Sequence, residues 1–198
     1  MTSSNFTAPK YIVQDYQVLL DVVRQNYASV VWTHKIQEKQ ADIYSQRYKN
    51  LETINVIVAA LTSCGVVALV TNQECIFVKV FTCILSFATL AITAYFKSFD
   101  LKSLEKQHKE AANHFIVIRN DLLQVIADIH MKNGSVQDIH ERYQEIMKRL
   151  NSLYITAPGT SDKAVKRASM SLGKNKEYSY KDEEIDCFLP SALRGKLK

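Results

Sequence analysis

Two charge-poor apolar stretches, five residues apart, constrain this chain more than any other feature of its sequence. Positions 53–73 hold no charged residue, and their apolar centre is 54–70 (INVIVAALTSCGVVALV). Positions 76–96 (IFVKVFTCILSFATLAITAYF) hold one charge, Lys79. A helix rising 1.5 Å per residue needs about 20 mostly apolar residues to cross a hydrocarbon core ~30 Å thick. The second stretch meets that length alone, and the first meets it once 51–53 and Thr71 are included. The competing reading is a soluble bundle with two buried core helices. A core helix of a small soluble domain, however, rarely lacks charge on every face.

The connection, Thr71-Asn72-Gln73-Glu74-Cys75, is short enough to force two adjacent spans antiparallel. Lysine and arginine set the orientation. Lys35, Lys39, Arg47 and Lys49 precede the first span, Lys97, Lys102, Lys106 and Lys109 follow the second, and the turn carries none. Both termini are therefore expected in the cytoplasm. Tyr48, Tyr95 and Phe99 fall where interfacial aromatics belong. The opening MTSSNFTAPK has no apolar signal region, so the first span is expected to act as its own targeting signal.

With only 5 Gly and 3 Pro, the chain has too few turn residues for a sandwich, a barrel or an open sheet, and long helices are favoured. At 47% hydrophobic and 23% charged it is not a disordered chain. The expected fold is an all-α membrane protein: an antiparallel two-helix transmembrane hairpin with a cytoplasmic helical bundle built from the N- and C-terminal arms. The expected divisions are an arm at 1–50, the hairpin at 51–97, a heptad-patterned helical hairpin at 98–156, and a short helix with a charged tail at 157–198.

The arms show countable periodicity. Leu101, Leu104, His108, Ala111, Phe115, Ile118, Leu122, Val125 and Ile129 follow steps of three and four throughout, an a/d seam sustained for about four heptads. These positions, with Phe115, Ile118, Leu122 and Val125 at their centre, are candidates for an oligomer or bundle seam. His108 is the polar exception, read as a register-setter or, alternatively, a pH switch. Asn133-Gly134 ends that helix with residues that tolerate positive φ, and Ser135 with Asp138 three later makes a capping-box-like start to the next. The alternation then resumes at Val136, Ile139, Tyr143, Ile146, Leu150 and Leu153. Ile12, Tyr16, Leu19 and Val23 share one side of the N-terminal arm, which is expected to pack on the C-terminal hairpin.

Polar residues in the spans are patterned too. Lys79, Thr82, Ser86, Thr89 and Thr93 fall within an arc of roughly 80° at 100° per residue. On the first span Asn55 and Thr62 share a face, while Ala60, Cys64 and Ala68 form a second face of small residues. Two readings fit. Hydroxyls line a water-filled path between several copies, with Lys79 at the outer mouth favouring anions. Or the stripe is interhelical glue, with Lys79 reaching the outer headgroups. Both require a homo-oligomer in the lipid bilayer.

Beyond Pro158, the stretch 163–176 holds Lys163, Lys166, Arg167, Lys174 and Lys176 and no acid; an acidic patch follows at Asp182, Glu183, Glu184 and Asp186. The basic stretch reads as a contact for the anionic leaflet, a site for an anionic ligand such as a nucleotide, or a solvated face. No nucleic acid partner is expected. The 4 cysteines form no metal or redox motif. Cys75 alone is placed for an intermolecular disulfide, and small apolar filler is the simpler role. The 5 histidines form no i,i+4 pair. No phosphate loop, nucleophile elbow or paired carboxylate stands out, so catalytic residues, metal ligands and cofactors are expected to be absent.

The arm–hairpin–arm layout, with the stretches 106–126 (KQHKEAANHFIVIRNDLLQVI) and 154–168 (YITAPGTSDKAVKRA), resembles the SLATT proteins, two-transmembrane effectors of prokaryotic conflict systems, over about residues 27–171. The resemblance implies a dormant membrane protein of antiphage immunity. A signal converts it into a pore or a membrane-disrupting assembly. It also implies a separate partner, a nucleotide-signal synthase or a nucleotide sensor. The chain shows no Gly-rich sensor motif, so the signal is expected from another polypeptide or from a ligand at the bundle. The rival readings are a constitutive holin-like protein and a non-conducting membrane scaffold.

Overall fold

Pro9 and Pro158 bracket the longest proline-free interval of the chain, and helix fills nearly all of it. The computed structural model describes residues 10–71, 76–172 and 182–194, and every element among them is helical. These are α1 (Lys10–Thr71), α2 (Ile76–Ser98), α3 (Leu101–Met131), α4 (Val136–Thr156), α5 (Asp162–Leu172), α6 (Asp182–Phe188) and a 3-10 turn (Ser191–Leu193). α1 begins directly after Pro9 and is 62 residues long, about 93 Å at 1.5 Å per residue. It passes through position 50 without a break, so the N-terminal arm and the first apolar stretch are one helix.

The chain divides into two compact units, one of Met1–Lys39 with His108–Lys198 and one of Gln40–Gln107. In the first, the bundle unit, Leu20, Val23 and Val30 of α1 pack with Phe115, Leu122, Val125, Ile126 and Ile129 of α3 and with Ile139 and Leu150 of α4. Each such side chain contributes roughly 1.5–3 kcal/mol on burial. The α3–α4 turn uses the expected residues differently from their sequence reading. Positive φ falls on Lys132 (52°) and Gly134 (107°). Asn133 instead donates its side-chain amide to Asp128 Oδ1 at 3.2 Å and its backbone N–H to the Asp128 carbonyl at 2.9 Å. The capping box is formed in full: Asp138 N–H donates to Ser135 Oγ at 3.1 Å, and Ser135 N–H to Asp138 Oδ2 at 3.2 Å.

The second unit reverses this pattern of burial. None of the apolar window of α1 is buried, and only 6% of that of α2. Phe77 is 82% exposed and Val70 75%. A soluble core helix would be enclosed, so the soluble-bundle alternative fails here. These are two helices long and apolar enough to cross a membrane, with large apolar side chains facing outward. Within the unit Tyr48 lies 5.4 Å from Phe96 by ring centroids, and Gly65 lies against Thr82. Positions rise along α1 as they fall along α2, so the two helices run antiparallel.

Candidate functional site

The contact between α1 and α2 follows from side-chain size. Gly65 presents no Cβ, and a methyl group there would collide with Thr82 Oγ1. This close approach makes Thr82 the buried residue of α2, 5% exposed. The half-buried positions continue from it at helical spacing. On α2 they are Val78, Leu85, Ala88, Thr89, Ile92 and Phe96; on α1 they include Asn55, Ala59 and Thr62. The predicted stripe is therefore split lengthwise. Thr82 and Thr89 turn toward α1, whereas Lys79, Ser86 and Thr93 lie exposed along one border of the contact. Ala60 and Cys64 of the small-residue face are exposed.

The hydroxyls of the pair turn inward to their own helices. Thr62 donates to the Val58 carbonyl at 2.8 Å, Ser86 to Thr82 at 2.9 Å, Thr89 to Leu85 at 3.0 Å and Thr93 to Thr89 at 2.9 Å. Such back-bonding satisfies a hydroxyl without tying one helix to another. Among the described residues of the two apolar stretches, two buried side-chain atoms have no hydrogen-bond partner, Asn55 Oδ1 and Thr82 Oγ1. At one end of the pair Lys102 Nζ sits 4.4 Å from the Tyr48 ring centroid, and Tyr95 and Phe99 stack at 4.8 Å. This gathers the aromatic and cationic residues expected at an interface.

In the bundle unit the predicted seam residues Phe115, Ile118, Leu122 and Val125 are buried against the chain's own α1 and α4. Leu101 is buried and Leu104 half-buried in the other unit. His108 is 1% exposed, and its Nδ1 lies 2.6 Å from Gln37 Oε1. The Gln37 amide donates to the Pro158 carbonyl at 3.0 Å, which leaves its oxygen as the acceptor and assigns the proton to Nδ1 of His108. Burial lowers the His108 pKa, which favours the neutral ring.

Two polar clusters escaped the sequence reading. Asp128, 2% exposed, accepts from Arg142 at 2.8 Å, Asn133 at 3.2 Å and Gln124 at 3.3 Å. Burial pushes its carboxyl up, but those hydrogen bonds and the Arg142 charge outweigh it and hold the pKa below the ordinary carboxylate value. Arg24 is 1% exposed and donates to Asp186 at 2.5 Å, with Asp182 at 3.8 Å. The acidic patch was visible in the sequence, but a partner 162 positions away leaves no local signal. On α5, Ala164 and Ala168 are buried, Lys163 and Lys166 are exposed and Arg167 is half-buried. Lys174, Lys176 and Cys75 lie outside the described residues.

The family model for the SMODS and SLOG-associating 2TM effector domain, family 4, matches residues 19–184. No curated protein and no solved structure matches the chain.

Proposed function

We propose, from the premise that this chain belongs to the SMODS and SLOG-associating 2TM effector domain family, that it is a dormant inner-membrane effector of antiphage immunity which assembles and permeabilises the membrane on a signal. The family is one of two-transmembrane effector domains associated with nucleotide-signalling conflict systems, so the chain is a membrane protein. The rest of the reading goes further. Both termini face the cytoplasm, as the flanking lysines and arginines indicate. The signal comes from a separate nucleotide-signal synthase or sensor protein.

The observation that carries the permeabilising step is the exposed border of α2. Lys79, Ser86 and Thr93 lie exposed beside the α1 contact in a helix whose outward residues include Phe77, Phe81, Ile84, Phe87 and Leu90. Polar groups are costly against lipid and are placed facing protein or water. In a single α1–α2 pair Ser86 and Thr93 are satisfied by their own backbone carbonyls and left at the rim of the contact, whereas a ring of copies turns that rim toward a central axis. In that ring Ser86 and Thr93 line the path, and Thr82 and Thr89 hold each pair together.

The test changes the border without touching the α1 contact. Ser86→Val with Thr93→Val is expected to reduce dye uptake by expressing cells at least tenfold at unchanged membrane abundance. Unchanged uptake rejects the lining role. Purified protein in liposomes separates the rival readings: spontaneous leakage identifies a holin-like protein, and no leakage with any nucleotide identifies a scaffold.

A further inference from the structure

Arg24 lies on the face of α1 that builds the bundle core, one residue from Val23 and four from Leu20, both 0% exposed. A guanidinium buried to this degree is tolerated only when its charge is matched. The match comes from the far end of the chain. Asp186 Oδ1 accepts from Arg24 Nη2, and Asp182 stands behind it. Three further contacts fasten the same segment. Tyr27 donates its hydroxyl to the Phe188 carbonyl at 2.9 Å, and Ile185 and Leu189, 1% and 2% exposed, enter the core cluster of Tyr16, Leu20 and Val23.

α6 is 7 residues long, far shorter than an isolated helix needs to persist in water. Its order therefore depends on docking. The acids remain reachable by solvent, with Asp186 25% and Asp182 51% exposed in their side chains. The seat is thus enclosed while the group occupying it is open to exchange. Ile185, Asp186, Phe188 and Leu189 also lie beyond residues 19–184, which match the effector family. The segment that closes the Arg24 seat extends past the matched domain.

We propose that residues 182–189 form an autoinhibitory strap. Docked on Arg24 and Tyr27, they cover the part of α1 around those two residues and hold the chain unassembled. Released, they leave that patch and its cation open to a second copy of the chain. α1 is the same continuous helix that carries the first apolar stretch, so the strap acts on the element that enters the membrane. This inference rests on the effector reading above.

The test uses the full chain in membranes. Asp182→Asn with Asp186→Asn removes the counter-charges, Ile185→Ser with Leu189→Ser removes the apolar anchors, and Arg24→Met with Asp186→Leu replaces the ion pair by an apolar one. Three readouts are taken: amide exchange at 182–189, chemical crosslinking between copies, and propidium uptake by cells at expression levels where the wild type is silent. The first two variants are expected to speed exchange at least tenfold, to shift crosslinked species from monomer to multimer, and to raise uptake about tenfold. The third is expected to behave as wild type. Multimers without dye uptake sustain the strap and overturn the permeabilising reading. Faster exchange with neither multimers nor uptake overturns the strap, as does unchanged exchange in both releasing variants. Should the Asn variant fail to reach the membrane, the Ser variant decides by the same criteria.

Discussion

Gly65→Ala tests whether the α1–α2 contact is as tight as its geometry requires. The new Cβ would collide with Thr82 Oγ1 and lie 3.2 Å from both Cβ and Cγ2 of that residue. Carbon pairs are most favourable at about 3.5–4.0 Å. Rotating Thr82 about χ1 moves Oγ1 and Cγ2 but leaves its Cβ at 3.2 Å, so the backbones must also part by a few tenths of an ångström. Overpacking of this kind costs about 1–3 kcal/mol, a factor of roughly 5–150 in the paired-to-separated ratio at 1.4 kcal/mol per tenfold. Cys64 and Cys83 are exposed, one on each helix, and serve as native labelling sites. In a Cys75→Ser/Cys187→Ser chain in nanodiscs, spin labels at these two positions report pairing through dipolar broadening. Gly65→Ala is expected to lose that broadening at a lower temperature than the parent. Thr82→Ala, which removes Oγ1 and Cγ2, is expected to restore most of it in the double variant. Equal transition temperatures for Gly65→Ala and its parent, or no coupling to Thr82→Ala, would refute a contact set by Gly65.

Two further predictions concern the bundle. Asp128→Ala removes the acceptor of three hydrogen bonds at 2.8, 3.2 and 3.3 Å and is expected to lower bundle stability by about 2–3 kcal/mol; urea titration followed by the fluorescence of Trp32, the one tryptophan, measures it, and an unchanged midpoint contradicts the assignment. Stability should also fall with acidification. Burial is the largest cause lowering the pKa of His34, His108 and His130, so below the ordinary histidine value of about 6.5 the unfolded chain binds protons that the folded chain refuses. The histidine contribution is complete above that pH and declines as pH falls from it toward the folded values. The lowered carboxyl of Asp128 acts below its ordinary value of 3.8, outside this window. The urea midpoint is expected to be lower at pH 5.5 than at pH 7.5, and His108→Gln is expected to reduce the difference; equal midpoints would show that the rings are not held neutral by the fold.

The parts of this molecule legible in its sequence are those written in local periodicity. An apolar run of helix length with at most one charge has one physical outcome when no protein encloses it, and 53–73 of α1 and 76–96 of α2 both show it. The steps of three and four from Phe115 to Ile129, and the Ser135–Asp138 pair, likewise act within a turn or two of helix. Arg24 shows the opposite case. It sits on the buried apolar face of α1, and only the return of the chain 162 positions later explains its tolerance there. The polar stripe of α2 falls between the two. Its spacing places five residues on one arc, but periodicity within a helix carries no record of where the neighbouring helix lies. Gly65 held that information. A glycine inside an apolar helix marks a close approach, and its register with Thr82 divides the stripe into a packed half and an exposed half.

The two units stabilise themselves by different means, and this bears on which of them changes. In the bundle, long-range polar contacts tie separate elements together: Arg24 to Asp186, Asp128 to Arg142, His108 to Gln37. Removing one partner of such a contact leaves a buried charge or dipole unmatched. Between α1 and α2 the hydroxyls of Thr62, Ser86, Thr89 and Thr93 are satisfied by their own backbones. Separating or rotating those helices breaks none of these bonds. Without a hydrophobic difference between lipid and protein, helix pairing in a membrane rests on close packing, here the contact of Gly65 with Thr82. Separating or rotating the spans therefore breaks fewer hydrogen bonds than rearranging the bundle does.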